Sequence, residues 1–205
     1  MRIVGGRFRG HRLAAPGAGG GGAAHLRPTA DRVREALFNL LAHGGYGDPP
    51  PPEGSRVLDL FAGTGALGLE ALSRGAVFAV FVDDHGPSRA LIRTSVEVLG
   101  LAGVTKIWRR DARHLGPCRG APHDLVFADP PYDAPEAGVA ALEAARLGGW
   151  LAPGALVVVE SAAGNPPAFP AWLAPCDARR YGETLISILR AGAGMAGAAD
   201  QEDSP

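Results

Sequence analysis

Four residues, Asp129-Pro130-Pro131-Tyr132, follow the apolar run Leu125 to Ala128 within DLVFADPPYDAP, residues 124 to 135. In that order an acid, two prolines and a phenol can hold an amine. The Asp129 carboxylate and the Pro130 carbonyl are both acceptors, and two acceptors can take the hydrogens of an NH2 group and aim its nitrogen. The Pro-Pro backbone keeps them fixed, because each ring locks φ and neither residue donates a ladder hydrogen bond. Tyr132 offers a ring face on which a heterocycle can stack. Taken alone, the stretch reads equally well as a strand ending in a turn, since Pro130 and Pro131 stop any strand that reaches them.

A second constellation lies in DLFAGTGALGLEALSRGA, residues 59 to 76. Gly63, Gly65 and Gly68 satisfy G-x-G-x-x-G between a strand and a helix, and Asp83 ends the next strand 20 residues after Gly63. Nucleotides, methyl donors and purely structural tight turns all produce this pattern. Asp59 separates the ligands: a carboxylate at the mouth of the loop repels a pyrophosphate but suits the ammonium and sulfonium charges of S-adenosylmethionine. The cofactor-binding candidates are Asp59, Phe61, Ala62, Gly63, Thr64, Gly65, Asp84 and Asp129, with Asp83 for ribose hydroxyls. Asp111 and Ala112, after the strand KIWRR, are candidates for adenine; an Asp there also reads as a helix cap. Asp59, Asp83, Asp111 and Asp129 each close a strand, and open parallel sheets bind ligands at those carboxyl ends.

The elements that must position these residues alternate. The pattern predicts strands at 56–61, 78–83, 104–109, 124–128 and 155–160, helices at 66–74, 87–99 and 136–147, and a closing hairpin around Arg179 to Arg190. Strands such as RVLDLF and ALVVVE are almost wholly apolar, as when helices cover both faces of a parallel sheet. Upstream, residues 1–13 suggest a short hairpin or arm, and GAGGGGAA a flexible linker. Thr29 sits at an N-cap position before the stripe Val33, Leu37, Leu40 and Leu41. The predicted organisation is a basic N-terminal extension (1–47), an α/β Rossmann-like domain (48–190) and a small polar tail (191–205), AGAGMAGAADQEDSP, with too little apolar surface to fold.

Composition narrows the function classes. Of 205 residues, 46% are hydrophobic, enough for one core. No apolar run approaches a bilayer span, and MRIVGGRFRG lacks the apolar stretch of a signal peptide, so the expectation is a soluble, uncleaved, cytoplasmic protein. Cys118 and Cys176 have no metal or redox spacing, and no metal is expected. The net charge of −1 hides seven arginines and a single acid, Asp31, in residues 1–34. A basic end on a near-neutral chain points to a polyanion. Arg7, Arg9, His11 and Arg12 are candidates for RNA phosphates and Phe8 for base stacking. Arg27 and Arg34 flank the helix stripe, where they line the cofactor or RNA entrance or, equally well, form structural ion pairs near Glu35. Tyr181 and Trp108 read as core residues.

The sequence resembles the RsmD-type methyltransferases over nearly all of residues 1–190. The matching segments are RIVGGRFRGHRL, LRPTADRVREALFNLL, DLFAGTGALGLEALSRGA, DPPY, GWLAPGALVVVES and YGETLISILR. The loop and clamp are widespread among amine methyltransferases; their combination with RPTADRVREALFN is far more specific. The resemblance implies methyl transfer from S-adenosylmethionine to N2 of a guanine in 16S ribosomal RNA, within an assembled or assembling 30S particle, by a monomer. It implies the cofactor on the glycine loop and Asp83, its adenine at Asp111 and Ala112, the target amine at Asp129 to Tyr132, and RNA on the arm. This chain departs from the pattern at His85, where relatives commonly carry an acid, and in its longer GAGGGG linker. The residues alone leave three rivals: an amine methyltransferase acting on DNA adenine, DNA cytosine or protein glutamine; an NAD-dependent oxidoreductase, disfavoured by Asp59; and a non-catalytic RNA-binding module.

Overall fold

The computed structural model describes residues 1–15 and 30–192. The GAGGGG linker, Arg27, Thr29 and the tail from residue 193 lie outside the described residues. The strands are β1 (Arg56–Leu60), β2 (Phe78–Val82), β3 (Thr105–Trp108), β4 (His123–Ala128), β5 (Leu151–Ala162), β6 (Leu173–Tyr181) and β7 (Thr184–Ala191), and all but β6 draw on β-branched or aromatic residues in their interiors. They make one sheet in the order β3-β2-β1-β4-β5-β7-β6. β1 to β5 pair in parallel, and β7 runs antiparallel between β5 and β6. The chain leaves β1 toward β2 and β3, then returns to its other side as β4. That reversal opens a crevice at the carboxyl ends of β1 and β4, where open α/β sheets bind ligands.

Alternating side chains feed two cores. On one face Val57, Phe81, Phe127 and Ile188 pack against α1 (Asp31–His43), α2 (Ala66–Ser73) and α3 (Gly86–Val98). On the other Leu58, Leu60, Val126 and Val157 meet Leu142 and Ala145 of α4 (Pro135–Leu147) and the buried Trp150. Burial on both faces is what the unbroken apolar strands require.

Four differences from the sequence pattern stand out. In α1 the innermost positions are Arg34, Leu37, Phe38 and Leu41, while Val33 and Leu40 are only half-buried. The stripe is rotated because Arg34 has a buried acid, Glu70, to meet. The helix starts after Ala30, which supplies no side-chain cap. The closing hairpin begins earlier than expected, at Leu173, because β6 is an edge strand whose mostly exposed residues carry little apolar signal. β7 ends at Ala191, so the first residue of the expected tail belongs to the sheet.

The arm is a clip seated on α2. Arg2 and Arg12 form an antiparallel bridge, and the Ile3 N–H donates to the His11 carbonyl at 2.9 Å. Ile3 and Leu13 are buried in the α1–α2 core. Ser73 Oγ accepts from the Phe8 N–H at 3.0 Å and donates to the Gly5 carbonyl at 2.6 Å.

Candidate functional site

The glycine loop is bent into shape by three left-handed residues, Phe61 (φ 60°), Gly63 (φ 55°) and Gly65 (φ 76°). For Phe61, with its Cβ, that conformation costs about 1 kcal/mol or more, the kind of strain that gathers at functional sites. Gly65 is the N-cap residue of α2, and it lies behind the cleft wall, against Ile92 and Phe81. Gly68 lets the helix approach the sheet: a Cβ there would lie 2.4 Å from Phe81 Cε1 and 3.0 Å from Asp59 Oδ2. Its N–H donates to that oxygen at 2.9 Å. Asp59 is buried, and burial pushes its carboxyl up to about 8, opposed by the Gly68 hydrogen bond and reinforced by the charge of Asp83.

Asp83 closes the other side of the loop. Its Oδ2 accepts from the Gly63 N–H at 2.7 Å and its Oδ1 from the His85 N–H at 2.8 Å. Partial burial raises its carboxyl above the usual range despite those bonds. His85 is the N-cap residue of α3, with its Nδ1 3.0 Å from Ser88 Oγ. Asp111 is itself a cap: it accepts from the Arg113 N–H at 2.9 Å and pairs with the Arg113 guanidinium at 2.8 Å. That guanidinium holds the Asp111 carboxyl far below the carboxylate range.

The clamp leaves β4 opposite the loop. Leu60 and Ala128 are register partners, so Asp129 follows β4 where Phe61 follows β1. Pro130 is buried against α4, and Gly138 makes room for it; a Cβ at Gly138 would lie 2.9 Å from Pro130 Cγ. The Tyr132 hydroxyl donates to Glu160 Oε1 at 2.8 Å and lies 2.9 Å from Thr184 Oγ1. Burial pushes the phenol up to about 12, with the charge of Glu160 adding to the shift, so its proton stays directed at Glu160.

One cleft of about 960 Å³ joins these parts. Asp59, Phe61, Ala62, Gly63, Thr64, Asp83, Asp84, Asp111, Ala112, Asp129, Pro130, Pro131 and Tyr132 line it. Glu160, Glu183 and Thr184 also line it and were not singled out in the sequence. Glu160 nevertheless ends the apolar run ALVVVE, as Asp83 and Asp129 follow theirs; Asp59, expected to close its strand, lies inside β1, one residue before its end. Among the described residues there is no group of acids, histidines and cysteines able to hold a metal ion, and no helix long and apolar enough to cross a membrane.

Two RNA candidates need correction. Arg34 is fully buried, 2.9 Å from Asp31 and 3.5 Å from Glu70, and donates to the Arg2 carbonyl. It ties α1 to α2 and the arm and has no surface for RNA; its partners are Asp31 and Glu70 rather than Glu35. Phe8 is half-buried against the core, with the Arg7 guanidinium 4.5 Å above its ring, so it is no open stacking platform. Arg7, Arg9, His11 and Arg12 are exposed. Trp108 and Tyr181 are half-buried against the two cores, as expected.

The family model described as Conserved hypothetical protein 95 matches residues 1–190. Ribosomal RNA small subunit methyltransferase D of Escherichia coli is 41% identical over 168 residues, 80% of this chain and 76% of that protein. The solved Escherichia coli protein yhhF superposes with a TM-score of 0.76 at 31% identity, covering 95% of this chain and 99% of that one. An RNA methyltransferase from Salinibacter ruber, solved with S-adenosyl-L-homocysteine, shares the fold alone: TM-score 0.58, 15% identity, 85% of this chain and 100% of that one. Arm, glycine loop, clamp and all but the last residue of the closing hairpin fall within the matched span, and the chain belongs to the RsmD family of methyltransferases, the family described as Conserved hypothetical protein 95.

Proposed function

We propose that this protein transfers a methyl group from S-adenosylmethionine to the exocyclic N2 of a guanine in 16S ribosomal RNA, acting as a cytoplasmic monomer on small-subunit particles. One observation carries the choice of cofactor. The Gly63 N–H, on the cleft lining, is already taken by Asp83, and the Gly68 N–H behind it by Asp59. A loop whose amides are satisfied by carboxylates disfavours a dinucleotide and fits a ligand with ammonium and sulfonium charge. In this reading Asp59 faces the ammonium, Asp83 the ribose, and Asp111 with the Ala112 backbone the adenine. When bound, S-adenosylmethionine supplies an electrophilic methyl group.

The chain's own residues present the nucleophile. An exocyclic amine is a poor one because its lone pair is delocalised into the ring. Asp129 and the Pro130 carbonyl hold its hydrogens and aim the nitrogen into the cleft, and their fixed backbone keeps reorganisation small. Tyr132, held by Glu160 and Thr184, sets a ring plane beside the clamp for a base that is unpaired or turned out of its helix. The proton lost afterwards can pass to water, since a methylated amine cation is acidic. The exposed arginines of the arm supply phosphate contacts.

Methyl transfer from labelled S-adenosylmethionine to 30S particles from cells lacking this protein, followed by nucleoside analysis, tests the assignment. Labelled N2-methylguanosine is the expected product. Unlabelled particles, with donor binding intact, would move the search to DNA or protein amines.

A further inference from the structure

An acidic cleft is a poor place for a chain of phosphates. Asp84, Asp133 and Glu183 are exposed on its lining, and Asp129 and Glu160 stand deeper. A base can enter only if its flanking phosphates are held outside the mouth. A nucleotide turned into a pocket carries a phosphate on each side, so one basic surface supports one flank only. The arm is one such surface, reaching the cleft where Met1 Sδ lies 3.7 Å from Thr64 Oγ1.

A second basic surface borders the cleft after β3. Arg109, Arg110, Arg113 and His114 fall within 109–114, with Asp111 the single acid among them, and all four are exposed. The backbone beneath is anchored. Ala112 and Leu115 are buried, and the Gly116 carbonyl accepts from the Trp150 indole N–H at 2.8 Å. The Arg110 guanidinium lies 4.8 Å over the Trp108 ring and donates to the Leu115 carbonyl, which fixes it without neutralising it. Asp111 pairs with Arg113 and draws in His114 at 3.3 Å. Neither Arg109 nor Arg110 forms an ion pair among the described residues. A guanidinium held on an aromatic face with its charge uncompensated suits an incoming phosphate.

We propose that Arg109 and Arg110, flanked by Arg113 and His114, form a second phosphate-binding ledge, so that the RNA spans from the arm to the ledge with the target nucleotide dipping between them. The proposal rests on the reading of the cleft as an RNA methyltransferase site.

Affinity of the full chain for a 16S rRNA transcript, measured by fluorescence anisotropy across a salt series, tests it. Arg119 provides a control of equal charge. It follows Cys118, whose N–H bonds the Gly148 carbonyl at the far end of α4 from the clamp. R109Q and R110Q should each flatten the salt slope by about 1 and weaken binding roughly three- to tenfold, with R119Q close to wild type. Unchanged slopes in R109Q and R110Q, equal losses in R119Q, or no RNA binding by the wild type overturn the ledge. Methyl transfer to 30S particles is read in parallel. Arginine-dependent slopes without transfer retain the ledge and reject the assigned reaction; transfer with unchanged slopes does the reverse.

Discussion

Tyr132 and Glu160 stand 28 residues apart in sequence, and the hydrogen bond of 2.8 Å between them joins the clamp after β4 to the end of β5. With Thr184 on the other side of the hydroxyl, the phenol is held by two further strands. Y132F keeps the ring but releases it. Turnover should fall roughly tenfold and stability by about 1–2 kcal/mol, since a partly buried acceptor loses its partner. Because the phenol is pushed up to about 12, the pH–rate profile of Y132F should keep its shape between pH 6 and about 9. Loss of a basic limb in that range would show instead that the phenol takes part in proton transfer.

D129A removes an acceptor from the clamp while leaving Tyr132 and its partners in place. Turnover should drop roughly a hundredfold or more if clamp electrostatics dominate. Single-turnover rates with saturating donor provide the measurement, and an unchanged rate in a folded variant rejects the clamp.

Asp59 links protons to the cofactor. Its carboxyl is pushed up to about 8 by burial, so near neutral pH it is largely protonated until a cation arrives. Affinity for S-adenosylmethionine should therefore rise as pH increases toward about 8 and level off above it, with proton release on binding below that point. Calorimetry in buffers of different ionisation enthalpy reads that release, and D59N should abolish it. The stability effect has the opposite sense. The folded state holds this proton more tightly than the unfolded chain does. That contribution is complete below about pH 4 and is lost as pH rises through about 8, so D59N should gain on wild type in melting temperature toward pH 8.

Glu70 is a buried node: it accepts from the Val4 N–H and from Arg74, each at 2.8 Å, and faces Arg34 at 3.5 Å. E70A would leave the Arg34 charge buried with less compensation and unfasten the arm. A loss of about 3–5 kcal/mol is expected, read by denaturant titration, together with faster proteolysis near residue 15. An Arg34 variant that stays folded should leave the salt slope of RNA binding unchanged, unlike the exposed arm arginines.

Much of this was legible in the sequence because the relevant signals are local. The apolar runs RVLDL and FAVFV mark strands buried on both faces, and glycines after β1 mark the ligand loop. Acids at strand ends mark the cleft before any topology is known. Arg34 was not legible as a core residue, since its partner Glu70 lies 36 positions away and nothing local reveals a shared burial. Thr184 escaped because only the β5–β7 register, in which Ala162 faces Thr184, brings it to the clamp. Asp111 could be read either way, and the deciding neighbour, Arg113, is two residues on; its backbone N–H makes Asp111 a cap and its guanidinium pairs with it, without removing it from the cleft wall.

β7 inserts between β5 and β6, antiparallel to both, and it is this late strand that brings Thr184 to the clamp. The glycine loop, by contrast, needs only β1, β2 and the helix starts after them. During vectorial synthesis the donor half of the site can assemble while the acceptor half still lacks its brace. A nascent chain halted before residue 184 should therefore bind S-adenosylhomocysteine before it can methylate anything, so that catalytic competence is reached only near the end of the chain.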